Sequence, residues 1–214
     1  MSRSTAGLTK TTPTAADPAA GPSAPTGRIP TGLRLAHYGA DEIARDLTPW
    51  AGAYERVHAD ALHLGDHSDP PLAERLGRHT GRPGFSLVAA LDGNDDGTGV
   101  AGFVYGYTLP EDTAWWRGVT PDPGPEHTRE YPGRTVAVCE LLVDTAWRRS
   151  RVGAALLQEF LAARSEERAA ALVAAGNEVV LGRYARYGFT RLGITEPYPG
   201  WRPHAMIVRP LRPG

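Results

Sequence analysis

The sequence is poor in cysteine and in long apolar runs, and each shortage excludes a class of protein. The single cysteine, Cys139, cannot form an internal disulfide framework or a metal site built of cysteines alone. No apolar run approaches the roughly 20 residues of a membrane helix, and the N-terminus lacks the basic and then apolar pattern of a secretory signal. A formal net charge of −1 gives no sign of a nucleic acid or an anionic membrane as main partner. We therefore expect a cytoplasmic protein with neither kind of partner.

Two parts of the chain differ in composition. Residues 1–31 are rich in Ala, Pro, Thr, Ser and Gly and hold almost no large apolar side chains. Such a segment buries too little surface to offset the entropy lost on ordering, so it predicts a disordered tail, with a docking peptide as the alternative. Residues 32–214 predict one domain with one core.

The first half of that domain has the pattern of helices followed by a hairpin. A short strand is expected at 33–38, and helical spacing then covers 40–64, where Pro49 should split or kink the helix. The segment "PPLAERLGRHT" predicts a second helix, since prolines suit a helix start. Apolar runs at 85–91 and 99–109 predict strands, and the turn residues "DGNDDGTG" between them predict an antiparallel hairpin.

The second half alternates strands with helices. After a long irregular stretch at 110–134, a strand at 135–143, a helix at 151–169, a strand at 170–174 and a helix at 178–187 follow in turn. This order implies parallel pairing of the two strands. The predicted fold class is α/β, a mixed sheet flanked by helices and closed by a last strand pair.

The stretch "WRRSRVGAALL" places three arginines where the strand gives way to the helix. The first turn of a helix leaves backbone N–H groups unpaired, and their partial positive charge favours a phosphate. Arg148, Arg149 and Arg151 add positive charge at this end, which costs stability unless an anion binds there. Gly153 and Ala154 leave room for a ligand near the backbone. The pattern predicts a pyrophosphate site, with a solvated basic turn as the alternative.

A second stretch, "NEVVLGRYARYGF", completes a pair of signatures. Its Asn177, Tyr184 and Gly188 fall at the offsets of N-x-x-A-x-x-x-Y-x-x-x-G-F, and the arginine turn fits [Q/R]-x-x-G-x-[G/A] after an apolar strand. Together they resemble the GNAT acetyltransferase superfamily over about residues 33–211. The resemblance implies the GNAT fold, a central, mostly antiparallel sheet whose parallel strands 4 and 5 splay apart. Arg151 replaces the first glycine of the turn, which is tolerable if its backbone stays in the right-handed helical region.

The resemblance implies acetyl-CoA as co-substrate, without a metal. Backbone groups of the first splayed strand would hold the pantetheine arm, and a bulge there would free an N–H to polarise the thioester carbonyl. The turn would hold the pyrophosphate, and a residue after the second splayed strand would also contact the cofactor. The expected cofactor-binding residues are Leu141, Leu142, Val143, Arg148, Arg149, Ser150, Arg151, Val152, Gly153, Ala154, Asn177 and Tyr184.

The implied reaction is direct attack of an amine on the thioester, which requires a proton donor and a base. Tyr184 lies where the family keeps the donor that protonates the leaving thiolate, although a core aromatic is the alternative. Cys139 has no paired histidine to activate it, so a covalent route is not expected.

Glu140 is the candidate base, because burial in an apolar strand should raise the pKa of its carboxyl group. Regular alternation along the strand is the objection. It puts Glu140 out of phase with Ala137, so that its side chain would face the helices in a structural role. A water chain, Glu126 or Glu130 is the alternative base.

The acceptor pocket should lie among the first helices, the long loop and the last strands. Its candidate aromatic residues are Trp115, Trp116, Tyr131, Trp201 and His204, although the two adjacent tryptophans could instead anchor the loop. No acidic cluster indicates a polyamine or aminoglycoside acceptor.

The predicted function is acetyl-CoA-dependent N-acetylation of a primary amine on a small molecule, peptide or protein. Alternatives are a non-catalytic acyl-CoA-binding or sensing domain, a transferase for longer acyl chains, and a toxin that acetylates aminoacyl-tRNA. The near-neutral charge speaks against the last, since RNA binding usually leaves a basic surface. The resemblance also admits a homodimer.

Overall fold

A computed structural model describes residues 29–93 and 99–212 of the chain. These residues form a seven-stranded sheet in the order β1-β2-β3-β4-β5-β7-β6. The strands are β1 (Leu33–Tyr38), β2 (Ser86–Asp92), β3 (Gly99–Thr108), β4 (Thr135–Val143), β5 (Arg168–Ala174), β6 (Thr190–Thr195) and β7 (His204–Pro210). Only the β4–β5 pair is parallel within this part of the chain, which confirms the predicted mixed sheet.

Helices cover both faces of the sheet. They are α1 (Ala40–Arg45), α2 (Thr48–Val57), α3 (Gly65–Ser68), α4 (Leu72–Thr80), α5 (Pro125–Thr128), α6 (Val152–Ala162) and α7 (Glu178–Arg186). Pro49 lies in the first turn of α2, where a backbone N–H has no partner within the helix, so proline loses no hydrogen bond there. The predicted helix is therefore divided at Pro49, as expected. No helix among the described residues is long and apolar enough to cross a membrane.

Two apolar clusters lie on opposite faces of the sheet. The first cluster joins α1, α2 and α4 to side chains such as Phe103 and Tyr105 of β3. The second joins α6 and α7 to side chains such as Val104 and Val138. Alternate residues of β3 therefore feed different clusters, as the two-residue period of a strand requires.

The predicted hairpin is confirmed by the antiparallel pairing of β2 with β3. The middle of its turn, residues 94–98, and the predicted tail up to residue 28 lie outside the described residues.

The prediction of one helix over 151–169 is wrong at its C-terminal end. The helix ends at Ala162, and Arg168 already belongs to β5. The residues between them bind the sheet instead of extending the helix. Glu166 accepts a hydrogen bond from Thr108 (2.6 Å), and the Arg164 guanidinium donates to the carbonyl oxygen of Gly106 (3.3 Å). Apolar periodicity cannot detect polar contacts of this kind.

Candidate functional site

Strands β4 and β5 separate after a short paired segment. Their parallel pairing runs from Thr135 with Arg168 to Val138 with Ala171, although both strands continue further. Residues 139–143 of β4 and 172–174 of β5 line the gap that opens. The backbone on this edge of β4 has no β5 partner there, so a ligand can bind it.

A β-bulge precedes the gap on the other edge of β4. Tyr105 pairs with Glu140, but the next residue, Gly106, pairs with Val138, so Cys139 is an extra residue in β4. Gly106 permits this close approach, because a Cβ atom there would lie 2.0 Å from the carbonyl oxygen of Ala137. The bulge lies two residues before Leu141, earlier in the strand than the sequence indicated.

The bulge decides which way Glu140 points. Directly paired residues of antiparallel strands share a face, and Glu140 pairs with Tyr105 of the first cluster, as Ala137 pairs with Tyr107. Glu140 therefore shares a face with Ala137 and lines a cavity of about 2300 Å³. The objection that Glu140 faces the other side is wrong, because it assumed unbroken alternation. Burial raises the pKa of the Glu140 carboxyl, and the nearby Arg75 guanidinium offsets part of that rise.

Tyr184 reaches the same cavity from α7. Its ring is buried and packs edge-on against Phe189, with the centroids 5.0 Å apart. Burial raises the pKa of its hydroxyl well above the ordinary value, and the nearby Glu140 charge raises it further. The phenol therefore stays protonated at neutral pH and can donate a proton.

The arginine turn enters α6 through two left-handed residues. Arg149 has φ = 68° and Arg151 has φ = 69°, so the right-handed backbone that would make a non-glycine tolerable at 151 is not present. Left-handed backbone at a residue other than glycine is strained and clusters at ligand sites. Arg151 is the N-cap residue of α6, and no side chain caps this helix.

Six of the seven residues at the turn line the cavity with their own atoms; Ser150 does not. The Ser150 hydroxyl donates a hydrogen bond to the carbonyl oxygen of Trp147. The Arg148 guanidinium also donates to the carbonyl oxygen of Val57, at 3.4 Å, which ties the turn to the end of α2. The lining residues are Arg148, Arg149, Arg151, Val152, Gly153 and Ala154, together with the expected Leu141, Leu142, Val143, Asn177 and Tyr184.

Asn177 lines the cavity and also has a structural role. Its side-chain oxygen accepts a hydrogen bond from the backbone N–H of Val180 (3.2 Å) and so caps α7. The amide nitrogen of the same side chain has no such role in the cap, so it is the part that can contact a ligand.

Only one of the three expected aromatic residues of the long loop lines the cavity. Trp115 lines it, but Trp116 is buried beneath the loop and donates a hydrogen bond to Glu130 (3.0 Å). Glu130 also accepts from Thr135 and from Arg168, so it is a structural anchor, and the prediction of Glu130 as base is wrong.

Two further predictions for the loop are also wrong. Glu126 is exposed and does not line the cavity, so it is not placed to act as base. Tyr131 donates a hydrogen bond to Glu167 (2.7 Å) outside the cavity. Trp201 and His204 line the cavity as expected.

The sequence analysis missed a polar cluster on the wall formed by α2, α3 and α4. Asp66 is buried and accepts two hydrogen bonds from Arg202, from Nε at 3.0 Å and Nη2 at 2.7 Å. Burial opposes ionisation of Asp66, but these bonds still lower the pKa of its carboxyl group. Burial lowers the pKa of His58 to about 4, so this ring is neutral at pH 7.

Arg75 of α4 is the most informative of the missed residues. It is three positions after the buried Leu72 and therefore lies on the apolar side of the helix. An arginine at such a position was the one feature of the sequence that could have identified it as a functional residue. Among the described residues, no three His, Cys, Asp or Glu side chains are grouped to hold a metal ion.

Comparisons with known proteins agree with this geometry. The Acetyltransferase (GNAT) family matches residues 50–189. The ribosomal-protein-S18-alanine N-acetyltransferase from Escherichia coli has a similar structure, with a TM-score of 0.58 and 14% identity over 85% of this chain and 96% of that chain.

Two aminoglycoside acetyltransferases also share the fold. The aminoglycoside 6'-acetyltransferase type Ii has a TM-score of 0.55 and 13% identity over 85% of this chain and 99% of its own. An aminoglycoside 6'-N-acetyltransferase complexed with coenzyme A has a TM-score of 0.55 and 12% identity, over 85% and 98%. A search of curated proteins finds no match. At these identities the structural likeness establishes the fold.

Proposed function

Because the chain belongs to the GNAT acetyltransferase family, we propose that it is an acetyl-CoA-dependent N-acetyltransferase that acts on a primary amine. The observation that carries the proposal is the separation of β4 and β5 after Val138, with Glu140 and Tyr184 both lining the gap and its cavity. Acetyl-CoA supplies an acetyl group activated as a thioester.

The residues around the gap fit this co-substrate. The unpaired edge of β4 at Leu141–Val143 would bind the pantetheine arm, and the backbone N–H groups of residues 149–154 would bind the pyrophosphate at the start of α6. The arginines of the turn would add charge-assisted hydrogen bonds. The similar aminoglycoside 6'-N-acetyltransferase complexed with coenzyme A supports this choice of ligand.

Glu140 would act as the base. An alkyl ammonium with a pKa of about 10.4 must lose a proton before the amine attacks, and the Glu140 carboxylate is the acid group of β4 that faces the cavity. Its raised pKa makes it a stronger proton acceptor than an exposed carboxylate.

Tyr184 would protonate the departing sulfur of coenzyme A. Its phenol is protonated at neutral pH, and the Glu140 carboxylate is close enough to disfavour ionisation of the phenol and so to raise its pKa. Burial also raises the pKa of the Cys139 thiol, so a thiolate nucleophile is not favoured and direct attack is preferred.

The absence of a carboxylate in phase with Ala137 would be a weak argument for the non-catalytic alternative, but the bulge gives Glu140 that phase. A cytoplasmic location, a homodimer and the absence of a nucleic-acid partner stay predictions.

The proposal is tested by measuring thiol release from acetyl-CoA with a panel of primary amines. Tyr184→Phe removes only the hydroxyl group and should lower kcat about 100-fold or more, while acetyl-CoA still binds. Tyr131→Phe is the matched control, because that tyrosine lies outside the cavity. Absence of thiol release with every amine would contradict the proposal.

A further inference from the structure

Arg75 lines the acceptor side of the cavity and has unpaired hydrogen-bond donors. It extends from α4 into the cavity wall, and its Nε and Nη2 atoms are buried without a hydrogen-bond partner among the described residues. Buried charged donors are nearly always paired, because losing their water is costly. The missing partner therefore points to a ligand.

Two aromatic rings hold the guanidinium in place. Its Cζ atom lies 5.3 Å from the centroid of Tyr54 and 5.9 Å from that of Trp201. Both rings are themselves fixed, since the Tyr54 hydroxyl is hydrogen-bonded to Nδ1 of His67 (2.8 Å) and the Trp201 indole donates to the carbonyl oxygen of Asp69 (2.9 Å). The two rings thus fix the guanidinium without accepting a hydrogen bond from its Nε or Nη2 atom.

Neither nearby carboxylate accepts a hydrogen bond from these two atoms. Asp66 is bound by Arg202 through the same pair of atoms, Nε and Nη2. Glu140 interacts electrostatically with Arg75, but no ion pair within 4.0 Å joins them in the described structure. A guanidinium without an ion-pair partner can bind a carboxylate bidentately through two nearly parallel N–H groups.

The charge of the cavity favours an anion as well. Eleven arginines and three carboxylates line it, although the whole chain has a net charge of −1. The turn before α6 accounts for Arg148, Arg149 and Arg151, so most of the excess lies elsewhere in the cavity. The indole Nε1 of Trp115 is another buried donor without a partner there.

We propose that Arg75 binds a carboxylate of the acceptor, so that the preferred acceptors are small amines bearing a carboxylate, that is, amino acids. This inference rests on the proposed N-acetyltransferase function. Arg75 and Glu140 line the same cavity, so an acceptor whose carboxylate meets the Arg75 guanidinium can bring its amine to Glu140. A cationic acceptor of aminoglycoside type would meet repulsion from Arg75.

The experiment compares amino acids with their primary amides as matched acceptor pairs, by thiol release from acetyl-CoA. Wild type should prefer the acids at least tenfold in kcat/KM. In Arg75→Met this acid-to-amide ratio should fall about 10- to 100-fold, the worth of a charge-assisted hydrogen bond pair, and Arg75→Lys should lie between. Because the ratio compares two acceptors on one protein, it cancels any effect of Arg75 on Glu140. Arg45→Met, an exposed arginine of α1 outside the cavity, should leave the ratio unchanged.

The outcomes separate this inference from the proposed function. Wild type that acetylates amides or cationic amines as well as the acids would overturn the inference and leave the N-acetyltransferase function intact. An unchanged ratio in Arg75→Met would overturn it too. Wild type that binds acetyl-CoA but acetylates no amine would contradict the proposed function, and the inference with it. A rise in Tm with acetyl-CoA identifies the variants that fold.

Discussion

At the scale of single residues, the arginine turn combines strained backbone with unfavourably placed charge, which an anion would relieve. Arg149 and Arg151 hold left-handed backbone that glycine would adopt at less cost, and they place positive charge at the positive end of α6. Both features are unfavourable in the free protein. An anion at the turn offsets them, which is why the strain supports a phosphate site.

Replacing Arg151 with glycine should therefore stabilise the free protein and weaken its cofactor binding. We expect the free energy of unfolding to rise by up to about 1 kcal/mol, since left-handed backbone costs a non-glycine residue about 1–2 kcal/mol and the flexibility of glycine takes back part of that. Urea unfolding without ligand measures it. Arg148→Gly is the control, because Arg148 has φ = −63° and glycine should destabilise there. Equal destabilisation by both changes would contradict the assignment of strain.

Replacing Glu140 with glutamine should remove the acidic limb of the pH–rate profile. The base must be ionised to accept a proton, so kcat/KM of wild type should fall tenfold per pH unit below the Glu140 pKa, which burial raises above its ordinary value. Glu140→Gln should lower kcat/KM about 100- to 10,000-fold at neutral pH and abolish that limb.

Two glutamates of the long loop provide controls for the Glu140 variant. Glu130→Gln changes a buried anchor and Glu126→Gln an exposed side chain, and neither residue lines the cavity. Both variants should keep the acidic limb, although the first should be less stable because Arg168 loses its buried charged partner. A limb that survives in Glu140→Gln would mean that another group is the base.

The sequence identified some of these residues but not others. Tyr184 and Arg151 were identified because they fall at motif positions. The side on which Glu140 lies was not predictable, since a bulge at Cys139 shifts the alternation and leaves no mark in an apolar run. Arg75 was missed because its function depends on Tyr54 and Trp201, which are distant in the sequence.

At the scale of elements, the close approach of β3 and β4 decides toward which face of the sheet the Glu140 side chain points. Gly106 lies at the register shift, and Ala137 lies against the place that a side chain at 106 would occupy. The bulge thus requires a residue without a side chain at position 106.

Replacing Gly106 with alanine should destabilise the protein strongly. Its Cβ would lie 2.0 Å from a backbone oxygen, so the strands must move apart, at a cost of about 3 kcal/mol or more. Gly182→Ala is the matched control in α7, where a Cβ meets no atom within 4 Å, and it should stabilise by about 0.5–1 kcal/mol. Urea unfolding compares the two. Equal small effects would show that β3 and β4 can separate freely.

The sequence predicted the ends of helices that are determined by the residues at those ends. Pro49 marks the start of α2, and α7 begins at Glu178 as predicted, directly after its cap residue Asn177. The end of α6 was predicted too late, because Arg164 and Glu166 leave the helix for partners in the sheet. Contacts between distant segments decide such ends.

At the scale of the molecule, β4 lies between the two proposed binding regions. Its free edge faces the gap toward β5 and the start of α6, and its bulged face carries Glu140 into the cavity beside α4. The first region follows from the motifs. The second is built from α2, α3, α4 and the loop before β7, whose sequences carry no signature, so only the folded chain reveals it.

The most direct test of the account is thermal unfolding with and without acetyl-CoA. At a ligand concentration of about 100 times Kd the stabilisation is about 2.7 kcal/mol, which should raise the Tm of a domain of this size by about 5–10 °C. Gly153→Trp should lose the rise, because its Cβ would already lie 3.3 Å from Val143 beside the gap, while Gly182→Trp, in open space, should keep it. No shift in wild type at saturating acetyl-CoA would contradict the proposed site.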